Sequence, residues 1–311
     1  MTSSAGAASA RHAYLGVACV LIATIGFSGK AVIVKLAYQY PVDVMTLLAL
    51  RMICSLPFFI AMAMWARLGS GGAKMVRNDW LAIIGLGFIG YYLGSYLDFA
   101  GLQYISAGLG RLILYLYPTL VLLLSALFLG QAIRTRHMLS LALSYGGIVL
   151  VFYEQMGIGG DHHALLLGGG LVFAGAVTYA IYLLAGSRVV FKLGSMRFTA
   201  YTSIAACAFV IAHFTVTHGP SALAVPHPVY WLAFVMAVFS TVLPLWLMAE
   251  GLRRIGANQA ALVACFGPIS TFVLANIFLD EPISAAQLFG ASLVLAGVMI
   301  ISVKPQAAKG G

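Results

Sequence analysis

The sequence is short of charge. Asp, Glu, Lys and Arg together make up 8% of its 311 residues, against 62% hydrophobic residues and a mean hydropathy of +1.01. Soluble domains carry about a quarter charged residues, so a water-facing surface is excluded and lipid must solvate most of the chain. Acids are scarcer than bases, 8 against 17, for a net charge of +9. That excess does not argue for nucleic acid, because the bases stand singly between apolar runs and form no stripe that could follow a phosphate backbone. Cysteines number 4 (Cys19, Cys54, Cys207, Cys265). All lie in apolar runs without Cys-x-x-Cys spacing, so they read as packing residues and give no disulfide framework or metal site. Gly26-Phe27-Ser28-Gly29-Lys30-Ala31 has glycines too close for a phosphate loop and no Ser or Thr after the lysine. Asp161-His162-His163 offers metal-like side chains in one short loop with no partner cluster. No Ser/His/Asp or Cys/His set converges at one depth, which removes support for hydrolase chemistry. No cofactor is expected.

What fills the chain is apolar runs. They fall at about 14–36, 44–66, 80–102, 107–129, 136–153, 165–187, 198–217, 229–250, 257–279 and 284–303. Each is about long enough to span a bilayer as a helix, and only helices satisfy the backbone of such runs in lipid, since a barrel would show alternating polarity. The first run, Tyr14 to Leu36, exceeds a signal-peptide core and reads as a retained span. The expected fold class is an all-α polytopic membrane protein of about ten transmembrane helices.

Lysine and arginine set the expected orientation. With the N-terminus in the cytoplasm, the inner connections carry Arg11, then Arg67, Lys74 and Arg77, then Arg134 and Arg136, then Arg188, Lys192 and Arg197, then Arg253 and Arg254, and finally Lys304 and Lys309. The outer connections carry Asp43, Glu154, Asp161, Asp280 and Glu281 and no base. Both termini are then cytoplasmic, and a bacterial inner membrane is the expected location.

Shifting the chain by 150 positions exposes an internal repeat. Gly101, Leu102 and Ile105 meet Gly251, Leu252 and Ile255; Ala107 meets Ala257; Pro118 meets Pro268; Phe128-Leu129 meets Phe278-Leu279; Ile133 meets Ile283; Gly147 meets Gly297. The halves are 1–156 and 157–311, each of five spans. Five is odd, so the second copy is inverted. The charges agree, since Arg134 and Arg136 correspond to Ser284 and Ala286 while Gln103 and Tyr104 correspond to Arg253 and Arg254. Inverted repeats with short loops are a transporter signature.

These residues resemble the drug/metabolite transporter superfamily, specifically its ten-helix EamA-type branch. The resemblance is strongest from Ala257 to Ser302, through Pro268, Leu279-Asp280-Glu281-Pro282, Gly290 and Gly297, and again from Gly101 to Gly130. Arg51 and Lys35 fall where similar sequences often carry these residues. Two positions depart: Gln131 stands where the family usually has Glu after the fourth span, and Gly110 where it often has Glu before Arg111. The resemblance implies a secondary transporter or exporter with a cavity between its repeats, and implies no particular substrate.

Charges inside spans cost enough that they usually face a cavity or a partner. Here they are Lys30, Arg51, Asp98 and Arg111, with Lys35 near the outer interface, and all fall in the outer half. As a group they suggest a vestibule for an anionic or zwitterionic molecule, with Asp98 and Arg51 as coupling or counter-ion groups. Singly, Lys30 and Arg51 could instead snorkel to lipid phosphates while Asp98 pairs structurally. Arg111, Tyr115 and Pro118 share a helical face, and Pro118 and Pro268 mark expected kinks. Arg111 is the residue expected to bind an anionic group bidentately, with Tyr115 beside it. Tyr91, Tyr92 and Tyr96 lie on the third span; Tyr92, Tyr96 and the repeat-related Trp246 are candidate cavity aromatics, or else an interfacial belt. Tyr179 and Tyr182 are weaker candidates, and Glu250 reads as a structural partner of Arg253 and Arg254.

The expected function is a secondary transporter or exporter of a small metabolite or drug-like molecule by alternating access, without enzyme activity. An intramembrane enzyme and a non-transporting membrane scaffold are the rival classes. The expected partners are the small molecule and the lipid bilayer, with no nucleic acid and with a homodimer as an open option.

Overall fold

A computed structural model describes residues 2–68, 75–157 and 161–302, with side chains described except at 2–12, 68, 188, 257–258, 261 and 302. Lys74, Lys304 and Lys309, and the side chains of Arg11, Arg188 and Ala257, lie outside the described residues. The described chain is helical, without strands. Among the described residues, nine helices are long and apolar enough to cross a membrane: α1 (Ala13–Ala37), α2 (Val44–Arg67), α3 (Arg77–Gly101), α4 (Ala107–Leu129), α5 (Thr135–Gly157), α6 (His162–Ser187), α7 (Ser195–Thr217), α8 (His227–Gly256) and α9 (Leu262–Leu279). A shorter apolar helix, α10 (Ala285–Ile301), completes the set. The all-α polytopic membrane fold is therefore the one expected.

The helices close on one another across the two halves. α1 packs between α8 and α9, and α6 packs between α3 and α4. The first helix of each half is thus held by the third and fourth of the other. α2 pairs with α7, and α5 with α10. Irregularities repeat with the same shift of 150. A π-helical stretch occupies Gly87–Leu93 in α3 and another Val238–Val242 in α8. The C-terminus of α4 ends on Gly130 in the left-handed region (φ 65°), and α9 ends on Asp280 in the same conformation (φ 54°). Aspartate is among the few side chains that visit this region readily. Gln131 and Glu281 then donate their backbone N–H to Ser125 O and Ala275 O, six residues back in both halves.

Acidic residues of the connections perform local work. Asp43 caps α2, accepting from the amides of Met45 (2.8 Å) and Thr46 (3.0 Å) and from the Thr46 hydroxyl (2.5 Å). Partial burial pushes its carboxyl up, but those bonds and the neighbouring His218 hold it below the ordinary aspartate value of 3.8. The cap is therefore complete at neutral pH and is lost only as pH falls through that lowered value. Asp161 caps α6 through the His163 amide (2.9 Å). Glu250 pairs with Arg253 (2.7 Å) and Arg254 (2.6 Å), as expected of a structural acid.

The α5–α10 seam shows how closely the halves meet. A Cβ at Gly147 would stand 2.4 Å from Gly290 O, whereas one at neighbouring Gly146 would meet nothing within 4 Å. Small residues at such crossings let backbones touch where lipid supplies no hydrophobic drive. Gly147→Leu should therefore cost about 1–3 kcal/mol by overpacking, read as a lower midpoint of thermal unfolding in detergent. Gly146→Leu should leave that midpoint unchanged; equal loss in both variants would refute the tight seam.

Candidate functional site

The site begins with two broken helices. α4 runs regularly over Ala107–Leu114, turns at Tyr115–Leu116 and resumes over Tyr117–Leu129. α9 turns at Cys265–Phe266 and resumes over Gly267–Leu279. Pro118 and Pro268 stand in the first turn of the resumed segments, where their fixed φ suits the helix and their missing N–H costs it nothing. The cost falls four residues back, because neither proline can donate to Leu114 O or Ala264 O. In hydrocarbon a carbonyl left without a donor is expensive. Tyr115 supplies one, its hydroxyl donating to Ala264 O at 2.6 Å. Gly267 makes room for that hydroxyl, since a Cβ there would lie 2.0 Å from it. From α1, the Ser28 hydroxyl donates to Gly267 O at 2.8 Å. The broken helices therefore cross at Tyr115 and are clamped there.

Beside the crossing lies a cavity of about 480 Å³, walled by α1, α2, α3, α4, α6 and α8 and by Ala260 and Ala264 before the α9 break. Its wall contains all four intramembrane charges, Lys30, Arg51, Asp98 and Arg111. Lys30 Nζ lies 2.7 Å from Asp98 Oδ2, an ion pair in which neither carboxylate oxygen receives a well-aligned hydrogen bond. Arg51 is buried; its Nε and Nη2 donate to Thr241 Oγ1 at 3.4 and 3.3 Å, and its guanidinium lies over the Phe99 ring at 5.4 Å. Thr241 belongs to the π-helical stretch of α8. The Arg111 guanidinium lies over the Tyr115 ring at 5.1 Å. Arg51 Nη1 and Arg111 Nε have no hydrogen-bond partner among the described residues. Three cations thus share the wall with one anion.

Magnitudes decide how well the protein itself settles this imbalance. A cation at membrane depth costs at least about 2.5–3.5 kcal/mol. Arg111 ends the short Ala107–Leu114 helix, where the dipole returns about 0.3–1 kcal/mol. An aromatic face adds about 0.5–2 kcal/mol. The central values fall short of the cost for each arginine, so both guanidiniums keep capacity for an anion.

The two ends of the helix bundle differ. On the side carrying Asp43, Glu154 and Asp161, the acidic side, Lys35 Nζ donates to Ile105 O (2.8 Å) and lies 3.7 Å from Glu281, whose Oε1 accepts from the Ala107 amide (3.1 Å). Tyr38 donates its hydroxyl to Phe99 O (2.9 Å). This tie joins the ends of α1, α3, α4 and α9. On the basic side the repeat-related residue of Glu281 is Gln131, which is exposed. There the wall continues through Met248, Leu252 and Ala260.

Of the residues singled out in the sequence, Lys30, Arg51, Asp98, Arg111 and Tyr115 are brought together. Tyr92, Tyr96 and Trp246 are not. Tyr92 donates to or accepts from His213 Nδ1 (2.7 Å), and Tyr96 lies against the same ring (5.9 Å). Trp246 is 56% exposed on the lipid-facing surface. The aromatics in the wall are Phe27, Tyr91, Tyr115, Tyr117 and Tyr179, while Tyr182 stacks on Phe198 outside it. Counting helical turns back from Asp98 would have found Ser95, Gly94 and Tyr91, whereas Tyr92 stands about 120° and Tyr96 about 160° from Asp98.

A family profile described as the EamA-like transporter family matches residues 14–153 and 166–303. An uncharacterized transporter of Bacillus subtilis, YcbK, is 31% identical over 90% of this chain and 90% of its own. An uncharacterized transporter of Archaeoglobus fulgidus is 26% identical over 91% of this chain and 97% of its own. A solved crystal structure superposes with a TM-score of 0.63 over 92% of this chain and 95% of that one; at 19% identity it shows the fold alone.

The crossing predicts a coupled pair of substitutions. Tyr115→Phe strips Ala264 O of its donor and should cost about 1–3 kcal/mol. Pro268→Ala restores a backbone N–H four residues along, so in that background Tyr115→Phe should cost much less. Thermal unfolding of the four proteins in detergent checks it, and strict additivity would sink the account.

Proposed function

The chain belongs to the EamA-like transporter family, and on that premise we propose that it is a secondary transporter that exports a small anionic or zwitterionic molecule by alternating access. The observation that carries the proposal is the gathering of Lys30, Arg51, Asp98 and Arg111 in one wall beside two crossed helix breaks. Broken helices at a repeat interface are where transporters hold their cargo. The basic side is assigned to the cytoplasm of a bacterial inner membrane, with both termini there. In this reading the Lys35–Glu281 tie holds the outer end together while cargo loads from the cytoplasm for export.

Each residue has a role in this reading. Arg111 takes the anionic group of the cargo with its guanidinium fork, the bidentate contact lysine cannot make. Tyr115 holds the guanidinium from below and fixes the α9 break from the side. Asp98 serves as the counter-ion of Lys30. Outward opening requires the crossing to hinge and the Lys35–Glu281 tie to part.

The cargo is found by comparing metabolites in deletion and overexpressing strains, and its flux is then measured in proteoliposomes. Arg111→Lys should insert and unfold like the wild type but lose at least about tenfold in flux, roughly 1.4 kcal/mol of binding. Normal flux in Arg111→Lys and Arg111→Ala contradicts the assignment. Lost stability in both makes Arg111 a structural residue instead.

A further inference from the structure

The cavity's charge also bears on what it carries. Asp98 is the one acid in the wall, and Lys30 already occupies it. Six of the other seven acids are engaged elsewhere, Asp43 with Thr46, Asp79 with Lys192, Glu154 with Ser284, Asp161 with the His163 amide, Glu250 with Arg253 and Arg254, and Glu281 with Lys35, and the seventh, Asp280, ends α9 outside the wall. Arg51 and Arg111 therefore share the cavity with no carboxylate of their own. Each is buried or half-buried with a guanidinium nitrogen that has no partner among the described residues.

From this count we infer that the cargo is a small organic dianion, one negative group meeting Arg111 and the other Arg51. The inference deepens the transporter reading and rests on it. A zwitterion would leave both guanidiniums uncompensated, because its own cation cancels its anion. A monoanion would leave one. Two negative charges bring the site to neutrality, and the low dielectric of the membrane interior makes each uncompensated charge count.

Both arginines line the same cavity, so one small skeleton can carry an anionic group to each. Arg51 comes from α2 and Arg111 from α4, so the contacts arise on different helices. Both present planar forks that match carboxylate or phosphate oxygens. Tyr91, Tyr117 and Tyr179 supply apolar wall for the carbon between them. At about 480 Å³ the space is that of a small-molecule pocket. Dicarboxylates and phosphate monoesters share this chemistry.

Paired ligands on the purified full-length protein test the inference. The probes are straight dicarboxylates of four to eight carbons beside their monomethyl esters, and phenyl phosphate beside methyl phenyl phosphate, at neutral pH. Binding is read from ligand-dependent thermal stabilisation. At least one dianion should bind tenfold or more tightly than its singly charged partner, and the pair that does so tells carboxylate from phosphate. Arg51→Gln should bring that ratio near one and keep monoanion binding, and Arg51→Lys should keep a preference for the dianion. Ratios within twofold for every wild-type pair overturn the inference, whatever the variants do. An unchanged ratio in a folded Arg51→Gln overturns the role of Arg51. Charge-selective binding without flux of the bound dianion in proteoliposomes contradicts the transporter reading and supports the dianion site. Flux of a cargo without charge selection does the reverse.

Discussion

One hydrogen bond sets the geometry on which the rest of this molecule turns, the 2.6 Å contact from the Tyr115 hydroxyl to Ala264 O. A soluble protein could leave such a carbonyl to water. In lipid every backbone polar group must be answered from within, so a proline that removes a donor forces the chain to find another. Pro268 creates the demand and Tyr115 meets it from the partner helix. The place of the crossing follows, because Gly267 alone leaves room for the hydroxyl. The Tyr115 ring then lies under the Arg111 guanidinium. A backbone requirement thus becomes the floor of a cation site.

The repeat makes the fold nearly symmetric, and the chemistry makes it polar. π-helical stretches, helix breaks and left-handed caps recur in both halves at a shift of 150, yet the Lys35–Glu281 tie does not. Glu281 bonds the start of α4 and faces Lys35; Gln131, at the related position, is exposed and carries no charge. One backbone used twice thus carries the Lys35–Glu281 pair at one end, while the repeat-related Gln131 at the other end has no charge to pair.

Much of this was legible in the sequence because lipid makes rare residues informative. Charges inside apolar runs had to be accounted for, and Lys30, Arg51, Asp98 and Arg111 converge on one wall. Pro118 and Pro268 matched without a gap, and each sits just beyond a break. The aromatics were less legible. Tyr92, Tyr96 and Trp246 were chosen because the repeat places Tyr96 opposite Trp246, but symmetry relates positions and does not say which face they occupy. The helical period counted from Asp98 does, and it selects Tyr91. Thr241 and the Lys35–Glu281 tie were not readable at all. The first depends on a π-helical stretch that changes the phase of α8, and the second on contacts between helices far apart in the chain.

The central claim is that these charges form an anion-attracting cavity reached from the basic side. It is tested most directly without knowing the cargo, by placing a cysteine at Ser95, one turn from Asp98 in the wall, after replacing the four native cysteines. Small thiol-reactive sulfonates and their trimethylammonium counterparts are applied from each side of oriented vesicles. The account predicts that the anionic reagent reacts several-fold faster than the cationic one, that access comes from the basic side, and that Arg111→Gln with Arg51→Gln erases the charge preference. Equal rates for the two reagents, a faster cation, or access from the acidic side alone would contradict it.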